Sequence, residues 1–364
     1  MPDTDDILLT TFPGHKSRNV GDNFITYSVI NMIKLNYPQY DPTILFRETP
    51  LDNHTNVSNI VAPGFSISNN TYPELFKLYS DINNLPNFYP IGASFQHILP
   101  SREVFENYEY NQETLDFLNL VAQKCGEIPC RDQLIVDLLK RFNIPACYSG
   151  DMVLFDPDVI GTPFKPPQTI KSIAFTIQHH PKYYDQSIAL LNRIKQEYPN
   201  TRLFVCLHSK PNKMSLDVAA EAKKIGFEEK HLYGDIENLK FYDEIDLHIG
   251  YRLHGHITFL RKRKPSILMV EDARAFGFSR TEGTSIGCID ALSLTTLEAD
   301  MKQIEVAIEY TKQQIKTHFS DYNTVFAFID KTYNEYLKGY FSKIGHHLKT
   351  NKTIDKNIDR NIWS

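Results

Sequence analysis

Nowhere in the 364 residues does an apolar run approach the roughly 18 positions that a membrane-spanning helix needs, so a membrane span is not expected. An excess of positive charge is missing too. The net charge is -5, which gives no support to general nucleic-acid binding, and any anion site must therefore be a local feature. Cysteines are few and scattered (Cys125, Cys130, Cys147, Cys206, Cys288). Odd in number and unpaired in spacing, they fit reduced, mostly buried thiols of a cytoplasmic protein better than a disulfide frame. The opening "MPDTDDILLTTF" is acidic before it is apolar, the wrong order for a signal peptide. Without a secretory signal, the Asn-x-Ser/Thr triplets at Asn53, Asn56 and Asn69 read as chance. There is no G-x-x-x-x-G-K-[ST], no G-x-G-x-x-G and no C-x-x-C. These absences weigh against P-loop and Rossmann-dehydrogenase readings.

What is present is a soluble composition, 41% apolar and 23% charged, in a chain long enough for two domains of roughly 150 residues. Strand-like and helix-like segments alternate. "ILLTTF", "NIVAPG" and "FYPIGAS" read as strands, while "NFITYSVINMIKLNY", "TLDFLNLVAQKCG" and "RDQLIVDLLKRFNI" carry helical spacing. Prolines 157, 163, 166 and 167 then crowd one stretch, which suits a linker. Beyond it the alternation restarts with "SIAFTIQ", "RLFVCLHS", "IDLHIGY" and "SILMV" as strands. The expected fold is two Rossmann-like α/β domains facing across a cleft, with C-terminal helices. The expected divisions are 1–160, a linker 161–172, a second α/β domain 173–293, helices 294–348 and a polar tail 349–364. The aromatic-rich C-terminal segment is expected to pack back on the domains, a helix on a membrane surface being the alternative.

The most informative stretch is "IGYRLHGHITFLRKRKPSIL", from Ile249. Arg252 and His254 fall where a strand ends and a helix begins, where unpaired N–H groups favour an anion. Arg252 suits bidentate contact with phosphate or carboxylate, and Gly255 lets a ligand approach the backbone. The bland alternative is an Arg and a His satisfied by neighbouring carbonyls. His254 and His256 form an H-x-H, but residues two apart on a helix do not face each other, so no metal is expected. In "KSRNVGDNF", from Lys16, Gly21 permits a tight turn and Asp22 reads as an N-cap. Arg131 and Asp132 open a helix where Asp suits the positive end and Arg does not, a hint of a bound anion. The run Arg261–Lys264 reads as a solvated helix end.

In order, these pieces resemble the polysaccharide pyruvyl transferase family. The N-x-G-D is matched by Asn19, Gly21 and Asp22, the R-D by Arg131 and Asp132, and the "aD" by Gly150 and Asp151. The R-L-H-G with its apolar helix, basic turn and P-x-I is matched from Arg252 to Ile267. The family commonly places a lysine after the last strand, where "VEDARAFGF" offers Arg274. The resemblance implies a GT-B-like fold and transfer of a pyruvyl group from phosphoenolpyruvate onto two hydroxyls of a sugar, with release of phosphate. It implies a catalytic set of Arg131, Arg252 and His254, the histidine acting as general acid. It implies substrate contacts from Asn19, Gly21, Asp22, Asn23, Leu253, Gly255 and Arg274. No cofactor is expected beyond phosphoenolpyruvate as co-substrate. The expected partners are that donor and a glycan or lipid-linked sugar, met in the cytoplasm or peripherally at the inner face of the membrane. Two other readings remain: a glycosyltransferase using a nucleotide sugar, separable by nucleotide binding, and a non-catalytic glycan-binding protein, which leaves the arginines unexplained.

Overall fold

The computed structural model describes residues 5–12 and 18–361, the last eleven of these by backbone alone. The first half contains β1 (Asp5–Thr10), α1 (Val20–Lys34), β2 (Thr43–Phe46), β3 (Val57–Pro63), β4 (Asn87–Ile91), α2 (Arg102–Glu106), α3 (Gln112–Cys125), β5 (Ile128–Cys130), α4 (Gln133–Arg141) and β6 (Ala146–Tyr148). The second contains β7 (Ser172–Thr176), α5 (Tyr184–Glu197), β8 (Arg202–Leu207), α6 (Lys213–Lys224), β9 (Glu228–His231), β10 (Leu247–Gly250), α7 (Leu253–Arg261), β11 (Ser266–Val270), α8 (Ala273–Arg280) and β12 (Cys288–Asp290). Three helices follow: α9 (Lys302–Lys316), α10 (Tyr322–Thr332) and α11 (Lys338–Asn361).

Every strand pairing is parallel, as expected of strands separated by helices. The first sheet runs β2-β1-β3-β4, and Ala93 just beyond β4 exchanges backbone bonds with Pro129 and Arg131, bringing β5 and β6 alongside. The second runs β12-β11-β10-β7-β8-β9. Its order reverses between β7 and β10, the place where open parallel sheets leave a crevice at their carboxyl ends. The inner strands β7, β10 and β11 are buried at every position, so they read as continuous apolar runs.

The C-terminal helices return to the first half. Leu337, Phe341, Ile344 and Leu348 form one buried stripe on the last helical stretch, Tyr340 donates to the Pro90 carbonyl at 3.2 Å, and the Tyr336 hydroxyl meets Cys147 Sγ at 2.9 Å. The apolar face that a membrane surface would need is thus used by the protein itself. Segment 349–364, expected as a tail, is helical through Asn361.

A second correction concerns the basic run. Arg261 and Arg263 are buried, not solvated. Arg261 donates to the carbonyls of Val153 and Phe155 and pairs with Asp156 at 3.2 Å, tying α7 to the first half. Arg263 holds Phe326 O and Asp330 of α10, and Lys264 donates to three carbonyls at 2.6–2.9 Å. The segment ends a helix wedged between other elements, where carbonyls replace water.

Candidate active site

A cavity of about 570 Å³ opens at the carboxyl edge of the second sheet and is closed from the other side by Thr11, Asn19, Asp22, Arg47 and the Gln96–Ile98 loop. Backbone proximity makes it possible. A Cβ on Gly250 would lie 2.5 Å from the Thr176 nitrogen, so only glycine lets β10 end this close to β7. The Arg252 N–H donates to Thr176 Oγ1 at 3.1 Å, which fixes the start of α7. Arg252 makes no side-chain cap bond, so its guanidinium is left to face the cavity, its Nη1 2.6 Å from His179 Nδ1. That neighbouring guanidinium, with burial, pushes the His179 imidazole down to about 4, so it accepts as a neutral ring. The Arg252 charge therefore meets no carboxylate within this contact.

Two acids stand beside it. Glu271, the first residue beyond β11, accepts from the His179 N–H at 2.8 and 2.9 Å and from the His180 N–H at 3.1 Å. Burial and Asp272 push its carboxyl up to about 8, against Arg252 and those N–H groups. Asp272 caps α8 through the Ala275 N–H and grips Arg274 at 2.5 and 3.0 Å. Across the cavity, Arg47 carries a buried Nε without a partner among the described residues.

Behind this wall lies a second charged group. Arg131, at the end of β5, binds Asp151, donates to Ser94 Oγ at 3.1 Å and approaches His254 Nε2 at 3.4 Å. His254 Nε2 is also 3.4 Å from Asp151. Burial alone would raise the Asp151 carboxyl, but Arg131 and His254 outweigh it and hold it well below the usual carboxylate range. A Cβ on Gly21 would fall 2.6 Å from His254 Cγ, so glycine is what lets the first turn of α1 lie on this ring.

The structure thus separates residues that the sequence groups together. Arg252, Arg274, Asn19 and Asp22 line the cavity. Arg131 and His254, only 6% and 8% exposed, do not, because Asp151 draws both into the junction between the halves. Gly21, Asn23, Leu253 and Gly255 do not line the cavity: Asn23 donates to Gly234 O at 2.9 Å, and a Cβ on Gly255 would touch Thr176 and His248 at 3.0–3.1 Å. The α1 cap is Asn19, not Asp22. Its Oδ1 accepts from the Gly21 N–H at 3.1 Å, which places Asp22 inside the first turn. Lys16 and Ser17 lie outside the described residues.

His256 turns away from His254, its Nδ1 meeting Ser266 Oγ at 2.8 Å beside His248 at 2.7 Å. Among the described residues no three His, Cys, Asp or Glu converge as a metal site requires. Sequence reading missed Glu271, His179 and Arg47. Glu271 carried a signal, an acid set immediately after the buried strand β11, while His179 lies three residues past β7.

No curated protein is significantly similar to the chain. Among solved structures, S. aureus MnaA, solved with UDP, is 10% identical with a TM-score of 0.50, covering 92% of this chain and 95% of that one. The accessory secretory protein 1, 2 and 3 structure from Streptococcus pneumoniae is 13% identical with a TM-score of 0.43; this chain is covered over 81% and spans about half, 54%, of it. The fold is GT-B-like, two parallel-sheet halves with a cleft between them. The model of the polysaccharide pyruvyl transferases matches residues 19–272, from the cap of α1 to the cap of α8 and so across both walls of the cavity, and the chain belongs to that family.

Proposed function

We propose that the protein moves the pyruvyl unit of phosphoenolpyruvate onto two hydroxyls of a glycan sugar, forming a cyclic ketal and releasing phosphate. One observation carries the reading: Arg252 sits at the strand-order reversal with a neutral histidine as its contact, beside Arg274 and opposite Arg47. Phosphoenolpyruvate bears its carboxylate and phosphate on a single enol carbon, so two adjacent anionic groups meet several guanidiniums within one pocket. The cavity volume is within the range of small-molecule sites, with space for a sugar beside the donor. Arg131 and His254 serve this site from one layer back, their contacts with Asp151 fixing the start of α7 and hence Arg252.

The donor is the only co-substrate in this reading, and the acceptor is a glycan or a lipid-linked sugar, met on the cytoplasmic side or peripherally at the inner face of the membrane. Among the described residues no helix is long and apolar enough to cross a membrane.

Thermal unfolding with phosphoenolpyruvate and, separately, with nucleotide sugars tests it. Phosphoenolpyruvate should raise the midpoint, by about 2.7 kcal/mol of stabilisation at a hundredfold excess over its dissociation constant, and Arg252→Ala should remove the shift. A shift with a nucleotide sugar alone would move the chain to nucleotide-sugar chemistry on the same scaffold.

A further inference from the structure

Glu271 is the buried acid that anion binding leaves without a task. It is 2% exposed, yet it belongs to the cavity wall, just past the end of the strand next to the one that delivers Arg252. A carboxylate so placed works against an anionic donor, and its two oxygens are held in one orientation by the His179 and His180 N–H groups. A residue needed only to tie the loop after β7 would do so without bringing a second negative charge to the site.

We propose that Glu271 is the proton carrier of the transfer. The inference rests on the pyruvyl-transfer reading. In its acid form Glu271 gives its proton to the methylene carbon of phosphoenolpyruvate, the double-bond pair becoming the new C–H bond. The first sugar hydroxyl oxygen bonds to the adjacent enol carbon, and its proton returns to the Glu271 carboxylate. The bond from that carbon to the phosphate oxygen then breaks, and phosphate leaves with the electron pair. The second hydroxyl closes the ketal, its proton leaving with the phosphate. Glu271 ends as it began.

The groups that face Glu271 do not titrate near it. His179 and His180, after β7, are pushed down, the first by Arg252 and the second by burial. Tyr183 on the same segment and Tyr251 at the end of β10 are pushed up by burial. Asp272 is held low by Arg274 despite burial, Arg274 is pushed up by Asp272, and burial pushes Arg252 down from its very high ordinary value against the pull of Glu271. With its carboxyl pushed up to about 8, Glu271 is in its acid form at neutral pH, and ionisation above that point sets a negative charge against the donor.

The test measures phosphoenolpyruvate affinity from pH 6.5 to 9.5 in wild type, Glu271→Gln and Glu271→Asp, together with phosphate release in the presence of methyl β-galactoside. Wild-type affinity should fall about tenfold per pH unit above pH 8. Glu271→Gln should bind at neutral pH within threefold of wild type and lose that limb, while Glu271→Asp keeps a limb at a shifted pH. Where the glycoside supports turnover, Glu271→Gln should release phosphate at least a hundredfold more slowly; without turnover, the binding limb alone decides. Wild type that does not bind phosphoenolpyruvate overturns the underlying reading and this inference with it. Wild type that binds, with Glu271→Gln keeping the same limb or the same turnover, overturns Glu271 alone.

Discussion

Two charged groups lie side by side at the meeting of the halves, and they differ in what balances them. In the junction, Arg131 and His254 share the carboxylate of Asp151, and all three are nearly inaccessible. In the cavity, Arg252 leans on a neutral histidine, Arg47 Nε has no partner among the described residues, and Glu271 has its carboxyl raised. The junction is a closed electrostatic unit that fastens one half to the other. In the cavity the acids Glu271, Asp272 and Asp22 act on Arg252 from a distance, without an ion-pair contact such as the one that closes the junction.

The sharpest way to break this contrast is Asp151→Asn. It leaves Arg131 and His254 facing each other in a buried site, and urea unfolding should show a loss of about 3–5 kcal/mol. Equal stability to wild type would mean the junction is not a closed unit. Gly21→Ala pushes a methyl into the His254 ring and should cost about 1–3 kcal/mol through overpacking, read in the same unfolding curves.

A third effect comes from pH. His208, His248 and His256 are buried and pushed well down by that burial, so they stay neutral in the native state. Below about pH 6.5 the unfolded chain binds protons that the native one does not, and stability falls by about 1.4 kcal/mol per pH unit for each ring. Glu271 and Asp132, pushed up to about 8 and about 7, act in the opposite sense between the ordinary carboxylate range and those values. With His179, also pushed down, to about 4, four rings stand against two carboxyls and leave a net loss on acidification, measurable as a lower urea midpoint at pH 5.5 than at 6.5. The smallest stability effect is Asn19→Ala, about 1 kcal/mol for a lost cap. Arg252→Ala should cost no more than that in stability, yet abolish the phosphoenolpyruvate response, which separates the cavity from the junction.

Much of the fold was legible. The buried strands β7, β8, β10 and β11 show as apolar runs because parallel strands are covered on both faces. The helices α1, α3, α4, α5 and α6 show as periodic stripes, and the returning C-terminal helices show by their aromatic spacing. Short or exposed pieces did not: β2 and β9 have little burial to print a pattern, and α8 hides in a stretch that reads as a turn until Asp272 is seen to cap it.

The R-L-H-G and N-x-G-D segments pointed to the cleft, and of their residues Arg252, Asn19 and Asp22 line the cavity. The sequence by itself determined the layered parallel architecture, through local periodicity, and which short segments meet at the cleft. Tertiary structure alone decided which charges pair. Arg131 finds Asp151 and His254 across 20 and 123 residues, Arg252 finds His179 across 73, and Glu271 meets the His179 N–H across 92. Charge pairing depends on distance and desolvation at the folded interface, and spacing along the chain carries neither.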